Sequence, residues 1–176
     1  MKVAILCPGP SLARTWSRKP EYTLIIAVNR AILHESCHWW SVGDWTTVQD
    51  IAGRPTNGIV SQDDTIRFIR GGSLISADRV PPQLLRWSEL PTPHPAYSMV
   101  AALGLAAHLG AKDVDIYGDD KSGDKDWDGH MAGKNRGDER WARERTVLAK
   151  ALMSLAISHN LSVQHVRDAD GESDRR

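Results

Sequence analysis

Short apolar runs alternate along the chain with longer stretches of helical periodicity. The apolar runs are rich in Val, Ile and Leu, and several lack the polar alternation of a half-exposed sheet, which predicts strands covered on both faces. These runs are residues 2–6, 23–28, 39–43, 58–61, 113–118 and 161–166. Helices are predicted over residues 11–18, 97–110 and 138–160. The alternation predicts an α/β protein with a mostly parallel sheet and helices on both faces.

The length of 176 residues indicates about one domain, which we place at residues 1–166. Residues 167–176 are charged and lack a long apolar run, so a disordered tail is predicted there. Residues 71–96 contain five prolines and form the least regular part. Such a stretch predicts a long connection, either a functional loop or a flexible excursion.

Composition narrows the classes of partner. Lys plus Arg and Asp plus Glu both number 22, so no broad positive field attracts nucleic acid or an anionic membrane. Nucleic acid stays an open alternative as the molecule that the protein modifies, although the sequence has no recognisable nucleic-acid-binding motif. Two cysteines, Cys7 and Cys37, are too few for a disulfide framework, and no segment has the length of a membrane span. We therefore predict a cytoplasmic protein without a membrane partner; the oligomeric state is left open.

Seven tryptophans accompany a single phenylalanine. Trp39, Trp40 and Trp45 lie close together, where they could form either core or a stacking wall. Large aromatic side chains mostly pack in cores, so core is the favoured interpretation.

Polar residues follow most of the predicted strands. Ligands of open parallel sheets bind outside the carboxyl ends of the strands, so residues in these positions are candidates for a site. The candidates are Gly9, Pro10 and Ser11 after the first strand, Asn29 and Arg30 after the second, Asp44 after the third, and Gly118 and Asp120 after the fifth. Because polar residues follow several strands at the same edge of the sheet, we predict a site for a polar ligand there.

The turn after the first strand suits an anion. Gly9 lacks a Cβ, and a helix that starts at Pro10 and Ser11 would present the free N–H groups of its first turn to a phosphate. A tight turn with a Ser cap explains the same residues equally well. The stretch is neither a Walker A loop nor a GxGxxG fingerprint, which excludes ordinary P-loop ATPases and Rossmann dehydrogenases.

Four segments, CPGPSL, AVNRAI, WWSVGDW and SMVAALGLAAHLGAKDVDIYGDD, resemble the GxGPSL-type Rossmann-like superfamily. That group includes bacterial CMP-sialic-acid sialyltransferases, motility-accessory glycosyltransferases and archaeal hydroxymethylpterin pyrophosphokinases. The resemblance covers residues 1–50 and 95–166 and is closest to short members of phage or prophage type. It implies a Rossmann-like fold and a nucleotide or nucleotide-sugar ligand.

The resemblance also implies roles for individual residues. The nucleotide phosphates would be bound by Gly9, Pro10 and Ser11, and Asp44 would lie beside them. Asn29 would bind the sugar or the base. Ser98 would start the helix that faces the phosphates, and Asp120 would close the site. Cys7 stands where relatives carry the first glycine of the motif, and this departure would narrow the pocket.

The chemistry of these residues agrees but leaves alternatives. Asn29 supplies a donor and an acceptor for a ribose or base edge, whereas Arg30 could bind phosphate or point to solvent. Asp44 and Asp120 could share Mg²⁺ that carries the phosphates, or could cap helices. No cofactor is predicted to be required, and magnesium is the one candidate.

The first half of the segment 124–135 matches the start of an EF-hand calcium loop. The matching residues are Asp124, Asp126, Asp128 and Gly129. The match breaks at the twelfth position, where Asn135 cannot supply the bidentate carboxylate. A solvated acidic loop is therefore the favoured interpretation.

His130 in that loop is the best candidate for a general base, because neutral imidazole accepts a proton near pH 7. A surface histidine is the alternative. Lys134, Arg136 and Arg140 could neutralise a leaving phosphate, or could be the solvated start of the last helix.

We therefore predict a nucleotide-sugar-dependent glycosyltransferase, with His130 and Asp120 as catalytic residues and an unidentified acceptor. Magnesium-dependent diphosphoryl transfer from ATP is the first alternative. A non-catalytic nucleotide-binding phage protein is the second, and a nucleic-acid acceptor the third.

Overall fold

A computed structural model describes residues 1–51, 73–76, 84–91, 97–123, 125–131 and 137–167. The strand predicted over residues 58–61 and the tail beyond residue 167 lie outside the described residues. So do Asp124, Lys134, Asn135 and Arg136.

The described residues form one sheet of seven strands in the order β5-β4-β3-β2-β1-β6-β7. The strands are β1 (Lys2–Leu6), β2 (Leu24–Val28), β3 (Trp39–Val42), β4 (Ser73–Ser76), β5 (Leu84–Arg86), β6 (Asp113–Tyr117) and β7 (Ser162–Val166). β3, β2, β1, β6 and β7 run parallel, which confirms the predicted α/β, Rossmann-like sheet.

β4 and β5 correct the expectation for residues 71–96. Both strands lie within this stretch and add to the edge of the sheet, β4 antiparallel to β3 and β5 antiparallel to β4. They have four and three residues. Apolar runs of that length between prolines give too weak a pattern to predict a strand.

The helices are α1 (Leu12–Thr15), α2 (Trp45–Ile51), α3 (Ser98–His108) and α4 (Asp138–His159), with 3₁₀ helices over Asn29–Leu33 and Trp87–Glu89. α3 and α4 confirm the predicted helices over 97–110 and 138–160. Gly110 and Asn160, just beyond their ends, have left-handed backbones, as is common for helix C-termini. α1 is shorter than predicted because the backbone is already extended at Trp16.

Both faces of the sheet are covered. Val3 and Ile5 of β1 pack in the cluster that contains α3 and α4 residues, whereas Ala4 and Leu6 pack in the cluster that contains α1 and α2 residues. All four are fully buried. Five of the ten buried residues of α3 are alanine or glycine, which allows its backbone to lie close to the sheet.

Trp39 and Trp40 are buried on opposite faces of the sheet, which confirms the core interpretation for these two residues. The side chain of Trp45 lies outside the described part of the chain. Within the described residues, every helix is too short or too polar to cross a membrane.

Candidate functional site

A cavity of about 280 Å³ lies at the carboxyl ends of the parallel strands. From β1 the chain continues to β2 and β3 on one side, and it later returns to β6 and β7 on the other. The connections after β1 and β6 therefore diverge, which is the position where open α/β sheets bind ligands. The volume lies close to the lower end of small-molecule sites, about 300 Å³.

Many residues predicted from the sequence line this cavity together. They are Gly9, Pro10, Asn29, Asp44, Ser98, Gly118, Asp120 and Arg140. Ser11, Arg30 and His130 are not among the lining residues, and Lys134 and Arg136 lie outside the described residues.

Asn29 is held from two sides. Ser98 Oγ donates a hydrogen bond of 2.9 Å to Asn29 Oδ1, and Trp40 Nε1 donates one of 2.8 Å to the Asn29 backbone carbonyl. The backbone of Asn29 has φ 50°, a left-handed conformation that asparagine tolerates better than most residues. Because Oδ1 of the amide accepts the hydrogen bond from Ser98, its Nδ2 group can donate to a ligand.

The backbone N–H groups of the turn after β1 form hydrogen bonds within the chain. Pro8 and Pro10 have no N–H, and the N–H of Gly9 donates to the Gly118 carbonyl at 2.9 Å. The N–H of Ser11 donates to Asp120 Oδ2 at 2.8 Å. The N–H of Ser11, which the sequence predicts to face phosphate, thus already has an acceptor, as does the N–H of Gly9, and the Asp120 carboxylate occupies the position of an anion.

Two glycines allow the chain segments after β1 and β6 to approach this closely. A Cβ on Gly9 would collide with the Gly118 carbonyl and the Asp120 carboxylate, and a Cβ on Gly118 would collide with the Cys7 carbonyl. Gly118 also has a left-handed backbone, with φ 67°. Close contact between the ends of β1 and β6 therefore accounts for both glycines.

Charged side chains form a cluster in the wall next to β6. Lys121 Nζ lies 2.6 Å from Asp119 Oδ1 and 3.8 Å from Glu144 Oε2. Arg140 Nε donates to Glu144 Oε1 at 2.8 Å. His165 Nδ1 lies 3.5 Å from Asp119 Oδ2. We call these five residues the Lys121 cluster; all except His165 line the cavity.

Histidine protonation within the Lys121 cluster is set by burial. Burial lowers the pKa of His165, although the neighbouring Asp119 carboxylate acts in the opposite direction. A lowered pKa keeps the imidazole neutral at pH 7, so the salt bridge of Asp119 is with Lys121.

Lys121 and Asp119 were not among the residues predicted for the site. Their position directly after Gly118, at the end of β6, was the available signal. Neither residue matched a motif, and the pairing with Glu144 of α4 depends on packing that sequence does not display.

The lining is mixed in character. Its carboxylates are Asp44, Asp119, Asp120 and Glu144, and its cations are Lys121, Lys125 and Arg140. Trp87, Tyr97 and Trp141 add aromatic surface. Such a combination suits a ligand that has both a flat apolar part and polar groups.

Cys7 is buried in the cavity wall, where the resemblance would place a glycine. Its side chain takes up space that a glycine would leave open. Burial raises the pKa of the Cys7 thiol well above its ordinary value, so the sulfur is a neutral, weakly polar part of the wall.

Arg30 lies in a buried ion cluster, away from both solvent and the cavity wall. Its Nε is 3.1 Å from Asp126 Oδ2, its Nη2 is 2.6 Å from Asp128 Oδ2, and its Nη1 binds Asp50 of α2. Arg30 therefore joins the end of β2 to α2 and to the acidic loop.

The described part of the acidic loop, residues 125–131, is organised around these contacts. The N–H of Trp127 donates to the Pro8 carbonyl at 2.9 Å, which fixes the loop against the turn after β1. His130 is exposed; its N–H donates to Asp128 Oδ1 at 3.1 Å and its carbonyl accepts from Asp126. Asp126 is buried and Asp128 binds Arg30, whereas Lys125 and residues 128–131 are exposed.

Within the described residues, no group of three or more His, Cys, Asp or Glu side chains is arranged to hold a metal ion. Asp44 and Asp120 nevertheless both line the cavity.

Comparisons of the chain with protein-family models, with curated proteins and with solved structures gave no significant match. The resemblance to the GxGPSL-type superfamily thus stays a prediction from sequence motifs, and function has to be argued from the cavity.

Proposed function

We propose that the protein binds a nucleotide-activated sugar in this cavity and transfers the sugar to an acceptor hydroxyl. The observation that carries the proposal is the hydrogen bond between Ser98 and Asn29, which are 69 residues apart in the chain and both line the cavity. The polar groups predicted from separate segments therefore belong to one site.

The nucleoside would lie against the Asn29 side of the cavity. The Asn29 amide is fixed by Ser98, so it offers a donor in a defined direction to a ribose hydroxyl or a base carbonyl. Trp87 and Tyr97, which also line the cavity, offer apolar surface to the flat base.

Departure of the nucleotide creates negative charge as the bond between the anomeric carbon and the phosphate oxygen breaks. Arg140 lines the cavity, and among the described residues its hydrogen bond to Glu144 uses Nε, so the other guanidinium donors would stabilise that charge.

The acceptor hydroxyl has to lose a proton as the new glycosidic bond forms. A general base must lie within hydrogen-bond reach of the substrate. Asp44 is an exposed carboxylate in the cavity wall, whereas His130 is outside that wall. The geometry therefore favours Asp44 as the proton acceptor over the histidine predicted from sequence.

One observation favours the alternative of magnesium-dependent diphosphoryl transfer. The described lining has four carboxylates and three cations, so a bare polyphosphate meets a wall of net negative charge. Mg²⁺ bound by Asp44 and Asp120 would reverse this balance for ATP.

Release of nucleotide from a panel of nucleotide sugars, with EDTA or with Mg²⁺, tests the proposal. We expect release that persists in EDTA, is lost in Asp44→Asn and is retained in Asp113→Asn, an exposed aspartate at the opposite end of β6. AMP formation from ATP only with Mg²⁺ would support diphosphoryl transfer instead. Binding without turnover of any donor would favour a non-catalytic binder.

A further inference from the structure

Lys121 combines burial, charge and an unusual backbone within the cavity wall. Its side chain is 9% exposed and lines the cavity, and its backbone has φ 44°. We propose that Lys121 is an anion-binding residue of the cavity and takes a phosphate or pyrophosphate group. Identification of that group as part of a nucleotide rests on the proposed function; the anion site itself does not.

The turn after β1 offers little to an anion in this structure. The N–H groups of Gly9 and Ser11 have acceptors within the chain, and the Asp120 carboxylate already lies against the turn. A phosphate there would lack these donors and would be repelled by Asp120. The anion is therefore expected to bind elsewhere in the cavity.

The backbone at Lys121 is energetically unfavourable for a residue with a Cβ. Within the described residues, the non-glycine residues of positive φ are Asn29, Lys121 and Asn160. Asn160 follows the end of α4, where this conformation is common. The other two line the cavity, and unfavourable backbone conformations concentrate at functional sites.

The partners of Lys121 orient its ammonium group without saturating it. Among the described residues, Asp119 Oδ1 at 2.6 Å is the only hydrogen-bond acceptor of Nζ, since Glu144 at 3.8 Å is beyond hydrogen-bond distance. An ammonium group has three donors, so donors remain for a ligand.

The carboxylates of Asp119 and Glu144 are the anionic neighbours of this buried side chain. A nine-tenths-buried ammonium without anionic neighbours would be strongly disfavoured. His165 Nδ1 lies 3.5 Å from the other carboxylate oxygen of Asp119. Lys125, by contrast, is exposed, which weakens any single contact with an anion.

Calorimetric titration with inorganic pyrophosphate tests the proposal, using the full chain and the Lys121→Asn variant. Asparagine tolerates the left-handed backbone but has no charge. We expect Lys121→Asn to weaken binding at least about tenfold, the usual effect of losing one charge-assisted hydrogen bond. Lys150→Asn, on the exposed side of α4, should bind within about twofold of the unchanged chain.

A purely structural role gives a different result. Lys121→Asn would then lower the melting temperature while the folded protein bound pyrophosphate with an unchanged Kd, and this would overturn the proposal. If Lys121→Asn does not fold, Lys121→Gly fits the same backbone and serves in its place.

Carbon NMR of the chain labelled at lysine Cε provides a second readout. The Lys121 resonance is assigned by its absence in Lys121→Asn, and it should shift on addition of pyrophosphate. A resonance that stays unchanged at saturation, or failure of the unchanged chain to bind pyrophosphate, contradicts the proposal.

The outcomes also separate the two proposals. Pyrophosphate binding through Lys121 without turnover of any nucleotide sugar would support the anion site and refute the glycosyltransferase. Turnover by Lys121→Asn with unchanged kcat and KM would overturn the anion site alone.

Discussion

Ser98 Oγ donates a hydrogen bond to Asn29 Oδ1 and so connects the first residue of α3 with the end of β2. Ser98 is buried, and its carbonyl accepts from Ser41 Oγ at 2.7 Å. The pair is therefore part of a hydrogen-bonded chain from β3 to the cavity, and it orients the Asn29 amide before any ligand arrives.

Removing the Ser98 hydroxyl should weaken nucleotide binding more than it weakens the fold. We expect Ser98→Ala to cost about 1 kcal/mol of stability, because Asn29 Oδ1 can still accept from water. Binding of the nucleotide should weaken because the amide loses its orientation. Ser158→Ala, which removes an exposed hydroxyl from α4, is the control. Equal affinities of the two variants would show that the Asn29 amide does not contact the ligand.

Gly118 should be indispensable for folding. Its backbone is left-handed and a Cβ would collide with the Cys7 carbonyl, so Gly118→Ala should cost about 3 kcal/mol or more. Gly123 has a similar φ of 68°, but no atom of the described residues would lie within 4 Å of a Cβ there, so Gly123→Ala should cost only the backbone strain, about 1 to 2 kcal/mol. Chemical denaturation of both variants measures the difference, and equal losses would rule out the contact between strand ends as the cause.

Arg30 should stabilise the fold. Arg30→Met leaves Asp126, whose side chain is fully buried, without its neighbouring guanidinium, and should cost about 3 to 5 kcal/mol. A smaller loss than about 1 kcal/mol would mean that other partners hold the acidic loop.

The pH dependence of that effect follows from Asp128. Burial raises its pKa, but the hydrogen bond from the His130 N–H and the Arg30 guanidinium outweigh this and lower the pKa overall. A lowered carboxyl pKa stabilises the fold above the ordinary value of about 3.9, and this is lost as the pH falls through the lower folded value. The stability gap between the unchanged chain and Arg30→Met should therefore narrow below about pH 4, as measured by denaturation at a series of pH values.

His130 should be dispensable for the function proposed here. It is exposed and outside the cavity wall, so His130→Ala is expected to retain nucleotide affinity and turnover within about twofold. A loss of turnover at unchanged affinity would instead restore its assignment as the general base.

The sequence predicted the parallel strands and the two long helices because their apolar patterns are unbroken. Strand-end reasoning selected Asn29 as a site candidate, and the motif resemblance selected Ser98, but neither predicted the hydrogen bond between them. The sequence could not predict that Asp120 would bond to Ser11, 109 residues earlier, or that Arg30 would find its carboxylates in α2 and the acidic loop. Those contacts depend on the orientation of side chains across elements, which hydrophobic periodicity does not encode.

The most direct test of the central claim, that the cavity binds a nucleotide, is a thermal-shift screen against nucleoside mono-, di- and triphosphates and common nucleotide sugars, with Mg²⁺ and with EDTA. A ligand present at a hundredfold excess over its Kd adds about 2.7 kcal/mol of stability. For a chain of this size that corresponds to about 5 to 10 °C. We predict such a shift for one nucleotide family in EDTA, reduced in Ser98→Ala. Absence of a shift with every nucleotide, with or without Mg²⁺, would contradict the account.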